Sequence, residues 1–107
     1  MANTFKNAGV AIGTSRTTLY TTPTATQSVI HALYISNIDG VNDADVTVEA
    51  TVDGGTTYFH IAKSVPVPAG ATLLLDKPIN LEAGDILTLT ASVAGDLEVF
   101  ASVLEIA

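Results

Sequence analysis

Short apolar runs separated by turn-forming residues dominate the second half of this chain. From Val65 to Ala107 each run has the length of a β-strand, and the breaks between runs contain Pro, Gly or Asp. This spacing is typical of antiparallel strands joined by tight turns. No window combines a sustained 3.6-residue apolar period with capping residues. The pattern therefore predicts little or no helix.

A strict alternation of apolar and polar residues marks one strand near the middle of the chain. The apolar residues predicted to face a core are Val46, Val48, Ala50 and Val52. The polar residues predicted to face water are Thr47, Glu49 and Thr51. Asp53-Gly54-Gly55 follows, and two glycines supply the positive φ angles of a tight hairpin. A return strand is predicted over residues 57–65.

The segment from Ser28 to Ile38 is apolar on both predicted faces. Strict alternation places Val29, His31, Leu33 and Ile35 on one face and Ile30, Ala32, Tyr34 and Ile38 on the other. Such a strand is usually central in a sheet, or lies between a core and a partner. Pro66 and Pro68 interrupt pairing and indicate a loop or a sheet edge. Further strands are predicted at 16–22, 71–76, 86–92 and 97–106.

These elements predict an all-β fold of seven to nine short strands, either an antiparallel β-sandwich or a jelly-roll-like small barrel. A chain of 107 residues is long enough for one core. Residues 4–12 form either a first strand or an arm, because Gly9 and Gly13 weaken the strand pattern. We therefore divide the chain into an N-terminal strand or arm at 1–13, ordered on assembly, and a sandwich domain at 14–107.

Composition restricts how the chain is stabilised and what it binds. There is no cysteine, and hydrophobic residues make up 48% of the chain but aromatic residues only 6%, so the core is built from aliphatic side chains. Charged residues make up 14%, against roughly 25% in an average domain. We infer that other copies or a partner cover part of the surface. The net charge of −7 disfavours contact with nucleic acid.

The sequence indicates neither a membrane span nor a secretion signal. No apolar run approaches the roughly 20 residues that cross a bilayer. The N-terminal segment lacks a basic region followed by a continuous apolar one, so it does not resemble a signal peptide. We expect synthesis in a cytoplasm.

No arrangement of residues predicts catalysis or a cofactor. His31 and His60 lie in predicted strands, but no carboxylate recurs beside either at metal-ligand spacing. The sequence has no G-x-S-x-G elbow and no glycine-rich loop before a helix. The acidic loop offers hard oxygen ligands for calcium from Asp39, Asn42, Asp43 and Asp45. It lacks the EF-hand pattern, and the same residue types are ordinary in solvated turns.

The six aromatic residues offer a different surface function. Tyr20, Tyr34, Tyr58, Phe5, Phe59 and Phe100 could stack against sugar rings, as aromatic residues do in carbohydrate-binding modules. Trp, the preferred platform for such stacking, is absent. Core packing or a protein interface is the alternative for these side chains.

Four segments carry a resemblance to a known group of proteins: TFKNAGVAIG, VIHALYISNID, PVPAGATLLLDKPINLEAGDILTLTAS and EVFASVLEIA. Together they resemble small β-sandwich structural proteins of tailed-phage virions. Members of that group serve as head decoration or cement proteins, or as accessories of the neck, tail or baseplate. The resemblance consists of turns and apolar positions, and contains no catalytic residues.

The resemblance implies a capsid cement subunit on the exterior of the head. Its partners would be the major capsid protein or other virion proteins, together with copies of itself, most simply in a trimer. A neck, tail or baseplate accessory is the alternative in the same class. The residues expected to make contacts are Phe5, Lys6, Val10, Ile12, Ile30, Tyr34, Pro66 and Pro68.

Overall fold

The computed structural model describes residues 2–107, which fold into nine β-strands. The strands are β1 (Asn3–Ala11), β2 (Thr17–Thr21), β3 (Gln27–Asn37), β4 (Ala44–Thr51), β5 (Phe59–Val67), β6 (Thr72–Leu75), β7 (Ile79–Leu81), β8 (Ile86–Ala91) and β9 (Leu97–Ile106). The prediction of an all-β sandwich is confirmed. The described part of the chain contains no helical segment with the length and hydrophobicity of a membrane span.

The strands form two antiparallel sheets that pack face to face. Sheet A has the order β1-β9-β3-β6, and β7 also pairs with β3 beyond the end of β6. Sheet B has the order β2-β8-β4-β5. Aliphatic side chains from the two inner faces fill the space between the sheets, including Leu33, Ile35, Val48, Leu87, Leu89 and Val103. Fully burying one such side chain contributes about 1.5–3 kcal/mol.

Residues 2–21 pass from one sheet to the other. β1 pairs with β9 along its whole length in sheet A. The chain then crosses at Ile12, whose N–H donates to the Leu97 carbonyl at 2.9 Å, and Gly13, whose carbonyl accepts from the Ala91 N–H at 2.8 Å. β2 follows in sheet B. One continuous segment therefore closes the same side of both sheets.

The predicted faces of β3 are wrong because the strand contains a bulge. Its pairing with β9 shifts register between Ile30 and Ala32, so His31 is an extra residue. Ile30 and Leu33 consequently share the core face, and both are fully buried. Val29, Ala32 and Tyr34 lie on the outer face instead, as their pairing partners on β9 show. An inserted residue exchanges the two faces of every residue that follows it.

The environment predicted for β4 is also partly wrong. The strand alternates in regular register with β8, so Glu49 and Thr51 do point away from the core. Both are nevertheless buried, since other segments cover the outside of sheet B at these points. Val52, predicted to face the core, lies beyond the end of the strand and is exposed.

The hairpin between β4 and β5 is confirmed, but its connection is longer than a tight turn. Gly54 and Gly55 both have positive φ, at 79° and 107°, as the sequence predicts. Asp53 organises the remaining residues of the connection. Its Oδ1 accepts hydrogen bonds from the Thr57 N–H and the Thr51 hydroxyl, both at 2.9 Å, and from the Thr56 N–H at 3.1 Å.

These hydrogen bonds predict an unusually acidic carboxyl in the β4–β5 connection. The Thr57 N–H and the Thr51 hydroxyl stabilise the carboxylate and lower the pKa of Asp53 to about 2, from an ordinary 3.8. The unfolded chain takes up this proton first. The contribution of Asp53 to stability is therefore complete above the ordinary pKa and is lost as pH falls through about 2. An NMR titration of the carboxyl carbon measures this directly; a midpoint near 3.8 would contradict the geometry.

The proline-containing segment lies at an edge, as predicted, but Pro66 does not interrupt pairing, since it lies opposite Asp45 of β4. Pro66 is within β5, which is the outermost strand of sheet B, and Pro68 follows directly after the strand. β5 also shifts register twice against β4, and Ser64 in this strand has a positive φ of 50°. Proline and bulges are common means of protecting an edge from further pairing.

Candidate interaction surface

The outer face of sheet A gathers aromatic and aliphatic side chains from four strands. Two rows run across the sheet. In the first row, Phe5 on β1, Leu104 on β9 and Val29 on β3 are neighbours. In the second row, the neighbours are Gly9, Phe100, Tyr34 and Leu74. We call these seven residues the outer-face patch.

Four large side chains of the outer-face patch are well exposed. The exposed fractions are 82% for Phe5, 48% for Phe100, 48% for Leu74 and 42% for Tyr34. A shallow depression lies between Gly9, Tyr34 and Phe100. Gly9 lies beside the Phe100 ring: a Cβ there would be in ordinary van der Waals contact, 3.5 Å from Phe100 Cδ1. Contiguous exposed apolar surface of this kind marks interaction sites in soluble proteins.

Almost no charge lies within the strands that form the outer-face patch. The strand registers place Glu98 on this face at the end of β9, and they place Asn7, Ser102 and Ala32 between the two apolar rows. Among the outward-facing residues of these strands within 2–107, Glu98 carries the single formal charge. The strip between the rows is made of small or uncharged residues, and depletion of charged residues is typical of the centre of a protein interface.

The structure separates the eight predicted contact residues into four groups. Phe5 and Tyr34 belong to the outer-face patch. Ile12 and Ile30 are 1% and 0% exposed, so they pack in the core and present no side chain to a partner. Lys6 and Val10 lie on the opposite side of β1 from Phe5. Pro66 and Pro68 lie at the edge of the other sheet.

Leu74 and Leu104 belong to the patch, although the sequence pattern did not place them in an interface. Phe100 also belongs to it, and is one of the six aromatic residues for which sugar stacking, core packing or an interface is predicted. Each lies on a strand in which inward and outward residues alternate, and this alternation is the sequence signal that could have identified them as outward-facing. That they share one face of the sheet with Phe5 depends on strand order. Strands β1, β3, β6 and β9 are distant in sequence, and no local pattern specifies that they are neighbours.

A polar cluster covers the outside of sheet B. Glu49 is 5% exposed and accepts two hydrogen bonds from Arg16, from Nε at 3.0 Å and from Nη2 at 3.2 Å. His60 Nε2 lies 3.3 Å from the Glu49 carboxylate. The Arg16 guanidinium also stacks on Tyr58, 3.7 Å from the ring centre. This cluster connects β4, β5 and the segment before β2.

The hydrogen bonds from Arg16 lower the pKa of Glu49 below its ordinary 4.5, although burial acts in the opposite direction. The charged form therefore stabilises the fold above the ordinary pKa. That stability is lost as pH falls through the lowered value.

We expect Glu49→Gln to lower the free energy of unfolding at neutral pH by about 1–2 kcal/mol, since a charged acceptor with two donors is lost. Half of the Arg16 side chain is exposed, so solvent screening keeps the effect below that of a fully buried pair. Denaturant unfolding measures the change. Glu98→Gln, at an exposed carboxylate, is the matched control and should change stability little. Equal effects of the two variants would contradict a stabilising role for the cluster.

A second polar link joins the two sheets at the end where β2 finishes. The Tyr20 hydroxyl donates to Glu105 at 2.5 Å and lies 2.7 Å from the Ser28 hydroxyl. Burial, followed by the hydrogen bond to Glu105, raises the pKa of Tyr20 to about 12. No local pattern predicts this contact, because its three residues lie on β2, β3 and β9.

The two histidines do not form a common site. His31 is the bulge residue of sheet A, and His60 lies on β5 in sheet B. In residues 2–107 no three side chains among His, Asp and Glu approach one another as metal ligands do.

The acidic loop uses its oxygens to hold its own backbone. Asp39 Oδ1 accepts hydrogen bonds from the N–H groups of Val41 at 2.8 Å and Asn42 at 3.3 Å, and Asp43 Oδ1 accepts one from the Ala69 N–H at 2.9 Å. The hydrogen bond from Val41 is the main reason that the pKa of Asp39 is lowered. The Asp45 N–H donates to the Ser92 hydroxyl. These contacts are those of a solvated turn.

Comparisons with known proteins provide a fold relationship. No protein-family model matches the chain, and no curated protein matches it either. A chain in the solved structure of infectious bursal disease virus, Gt strain, is similar, with a TM-score of 0.51 and 15% sequence identity. The match covers 96% of this chain and 31% of that chain. The present chain thus spans about a third of its structural neighbour, and the similarity shows a shared fold.

Proposed function

We propose that this chain is a structural protein of a virion and acts by adhesion to neighbouring subunits. The observation that carries the proposal is the outer-face patch, an exposed apolar surface on a sheet that already has a complete core behind it. Low overall charge supports the same reading, since 14% charged residues is few for a small domain that is solvated on all sides. The fold shared with a chain from a virus structure adds support by analogy.

Within this class we favour a cement subunit on the exterior of a tailed-phage head. The resemblance of the four sequence segments supports this position. A subunit that binds only the assembled shell stabilises it by mass action, and repetition over many copies multiplies a modest interface. The net charge of −7 fits the outside of a head better than a surface lined with DNA. The partner would be the major capsid protein.

Immunogold electron microscopy tests the position in the particle. Antibodies against the chain are applied to virions purified from a culture that expresses the gene. Label over the whole head supports the cement assignment. Label at a single vertex or along the tail supports a neck, tail or baseplate accessory in its place. Particles that carry no label and no copy of the chain by mass spectrometry would overturn the virion assignment.

A carbohydrate-binding module is the second candidate, and a specific observation favours it. Tyr34 and Phe100 are adjacent across β3 and β9, half-exposed, and border a shallow depression. Paired aromatic rings can stack against the apolar faces of a sugar. A glycan array with the purified chain decides the question. Saturable binding that Tyr34→Ala abolishes supports a lectin function; no binding at high protein concentration removes it.

A further inference from the structure

One of the four sheet edges lacks the proline, the short strands and the register shifts that interrupt pairing at the other three, and its single charged residue is Lys6. β6 and β7 are short, with Pro78 between them. β5 contains Pro66 and two register shifts, and β2 has five residues with a shift between Thr18 and Tyr20. β1 has nine residues, contains no proline and pairs in unbroken register with β9 on one side only. A long, regular, unpaired edge is a template for another strand.

The backbone groups that face this edge can be identified from the pairing with β9. Ala2 exchanges two hydrogen bonds with Ala107, at 2.8 and 2.9 Å, and the Ile12 N–H donates to Leu97. Residues bonded to one neighbour alternate along an antiparallel strand. The even-numbered residues therefore bond to β9. The N–H and C=O groups that point outward belong to Asn3, Phe5, Asn7, Gly9 and Ala11.

The distribution of charge favours a second copy of the chain at this edge. All eleven acidic residues lie at Asp39 or later in the sequence. Residues 2–38 contain no acidic residue and two basic ones, Lys6 and Arg16. Two chains of net charge −7 repel each other over most of their surfaces. The repulsion is reduced where β1 approaches β1, since the edge strand carries no acidic residue and Glu98 and Glu105 lie behind it on β9.

We propose that β1 pairs antiparallel with β1 of a second copy, about a two-fold axis at Asn7. In the register of full overlap, Asn3 lies opposite Ala11 and Phe5 lies opposite Gly9. Lys6 then faces Ala8. Sliding the strands to bring the two Lys6 side chains opposite each other shortens the overlap and opposes like charges, so this register is disfavoured.

The side chains of the outer face fit this arrangement. Phe5 is the most exposed aromatic residue of the outer-face patch, at 82%. Opposite it in the second copy is Gly9, beside which the Phe100 ring already packs. Phe5 of one copy thereby covers the glycine and contacts the Phe100 ring of the other. An aromatic ring next to a glycine on a neighbouring strand is a stabilising pair in sheets.

The pairing also determines how the outer-face patch is presented. The two-fold axis is perpendicular to the sheet, so both outer faces lie on the same side of one continuous sheet. A dimer therefore offers a single apolar surface of twice the area. This inference goes beyond the proposed function and does not depend on it, since the dimer forms in solution whether or not the chain enters a particle.

Sedimentation equilibrium over a dilution series measures the assembly. A dimer has twice the 11.0 kDa mass of the chain. Asn7→Asp and Asn7→Lys each place two like charges at the axis, and we expect each variant to be monomeric. Mixed in equal amounts, the two variants should recover the dimer, because opposite charges then meet. Ser102→Asp and Ser102→Lys are matched controls on the adjacent strand β9, and both should remain dimeric.

Several outcomes would overturn the proposal. The first is a wild-type chain that stays at 11.0 kDa over the whole dilution series, or that forms trimers. The others are Asn7 variants that remain dimeric, and a mixture of the two Asn7 variants that stays monomeric. Dissociation of the Ser102 variants would show that the contact is made by the face of sheet A and not by the β1 edge, and would overturn the proposal as well. Circular dichroism shows whether each variant is folded. If an Asn7 variant is unfolded, Asn7→Pro replaces it in the experiment, because proline removes an N–H that points to the edge without breaking a hydrogen bond to β9.

Discussion

Replacing Tyr34 and Phe100 together by Asp is expected to reduce binding of the chain to its particle by about 100-fold or more. The two side chains lie side by side at the centre of the outer-face patch. Truncating a central aromatic anchor in an interface typically costs about 2 kcal/mol or more, and a buried unpaired carboxylate adds to the loss. Co-sedimentation with particles stripped of the protein measures the effect.

The control for this experiment lies on the opposite sheet. Phe59 on β5 and Val52 after β4 are also apolar and exposed, at 59% and 61%. Replacing both by Asp likewise introduces two carboxylates at exposed apolar positions but changes no residue of the outer-face patch, so binding should be retained. If this pair abolishes binding and the Tyr34 and Phe100 pair does not, the adhesive surface is on sheet B and the assignment to sheet A is wrong.

Leu89→Ala is expected to give the largest loss of stability among single substitutions, about 2–5 kcal/mol. Leu89 is fully buried on β8, a strand in the interior of sheet B, and the aliphatic core around it has few ways to close a cavity. For a domain of this size, each kcal/mol lowers the melting temperature by roughly 4–8 °C. A thermal melt should therefore shift by more than about 8 °C.

Leu74→Ala is the matched control for the core prediction. The same atoms are removed from a leucine that is half-exposed at the edge of sheet A. We expect a change in stability below about 0.5 kcal/mol, which is usual for surface positions. Because Leu74 belongs to the outer-face patch, the variant should instead weaken particle binding. Equal destabilisation by the two variants would show that the assigned core is wrong.

Strand positions were predictable where local chemistry alone decides them. β9 was predicted at 97–106 and is found at Leu97–Ile106. The inward set on β8, Leu87, Leu89 and Ala91, follows from simple alternation and is buried. Gly54, Gly84 and Gly95 have positive φ in the turns that the sequence marks. In each case the signal lies within a few residues of the feature.

The failures share a physical cause, which is that they depend on distant segments. The bulge at His31 is fixed by pairing with β9, and no residue of β3 predicts it. Glu49 is buried because Arg16, thirty-three residues earlier, reaches over it. β7 has three residues, too few for a periodic pattern. Predicting the outer-face patch likewise requires the strand order, because Phe5 and Leu104 are neighbours although they lie near opposite ends of the sequence.

Electron cryo-microscopy of the intact particle shows which surface of the chain contacts its neighbours. We expect density for the sandwich on the particle, oriented with the outer face of sheet A against a neighbouring subunit and with Tyr34 and Phe100 buried in the contact. Density with sheet A facing solvent, or particles in which the sandwich is absent, would contradict it.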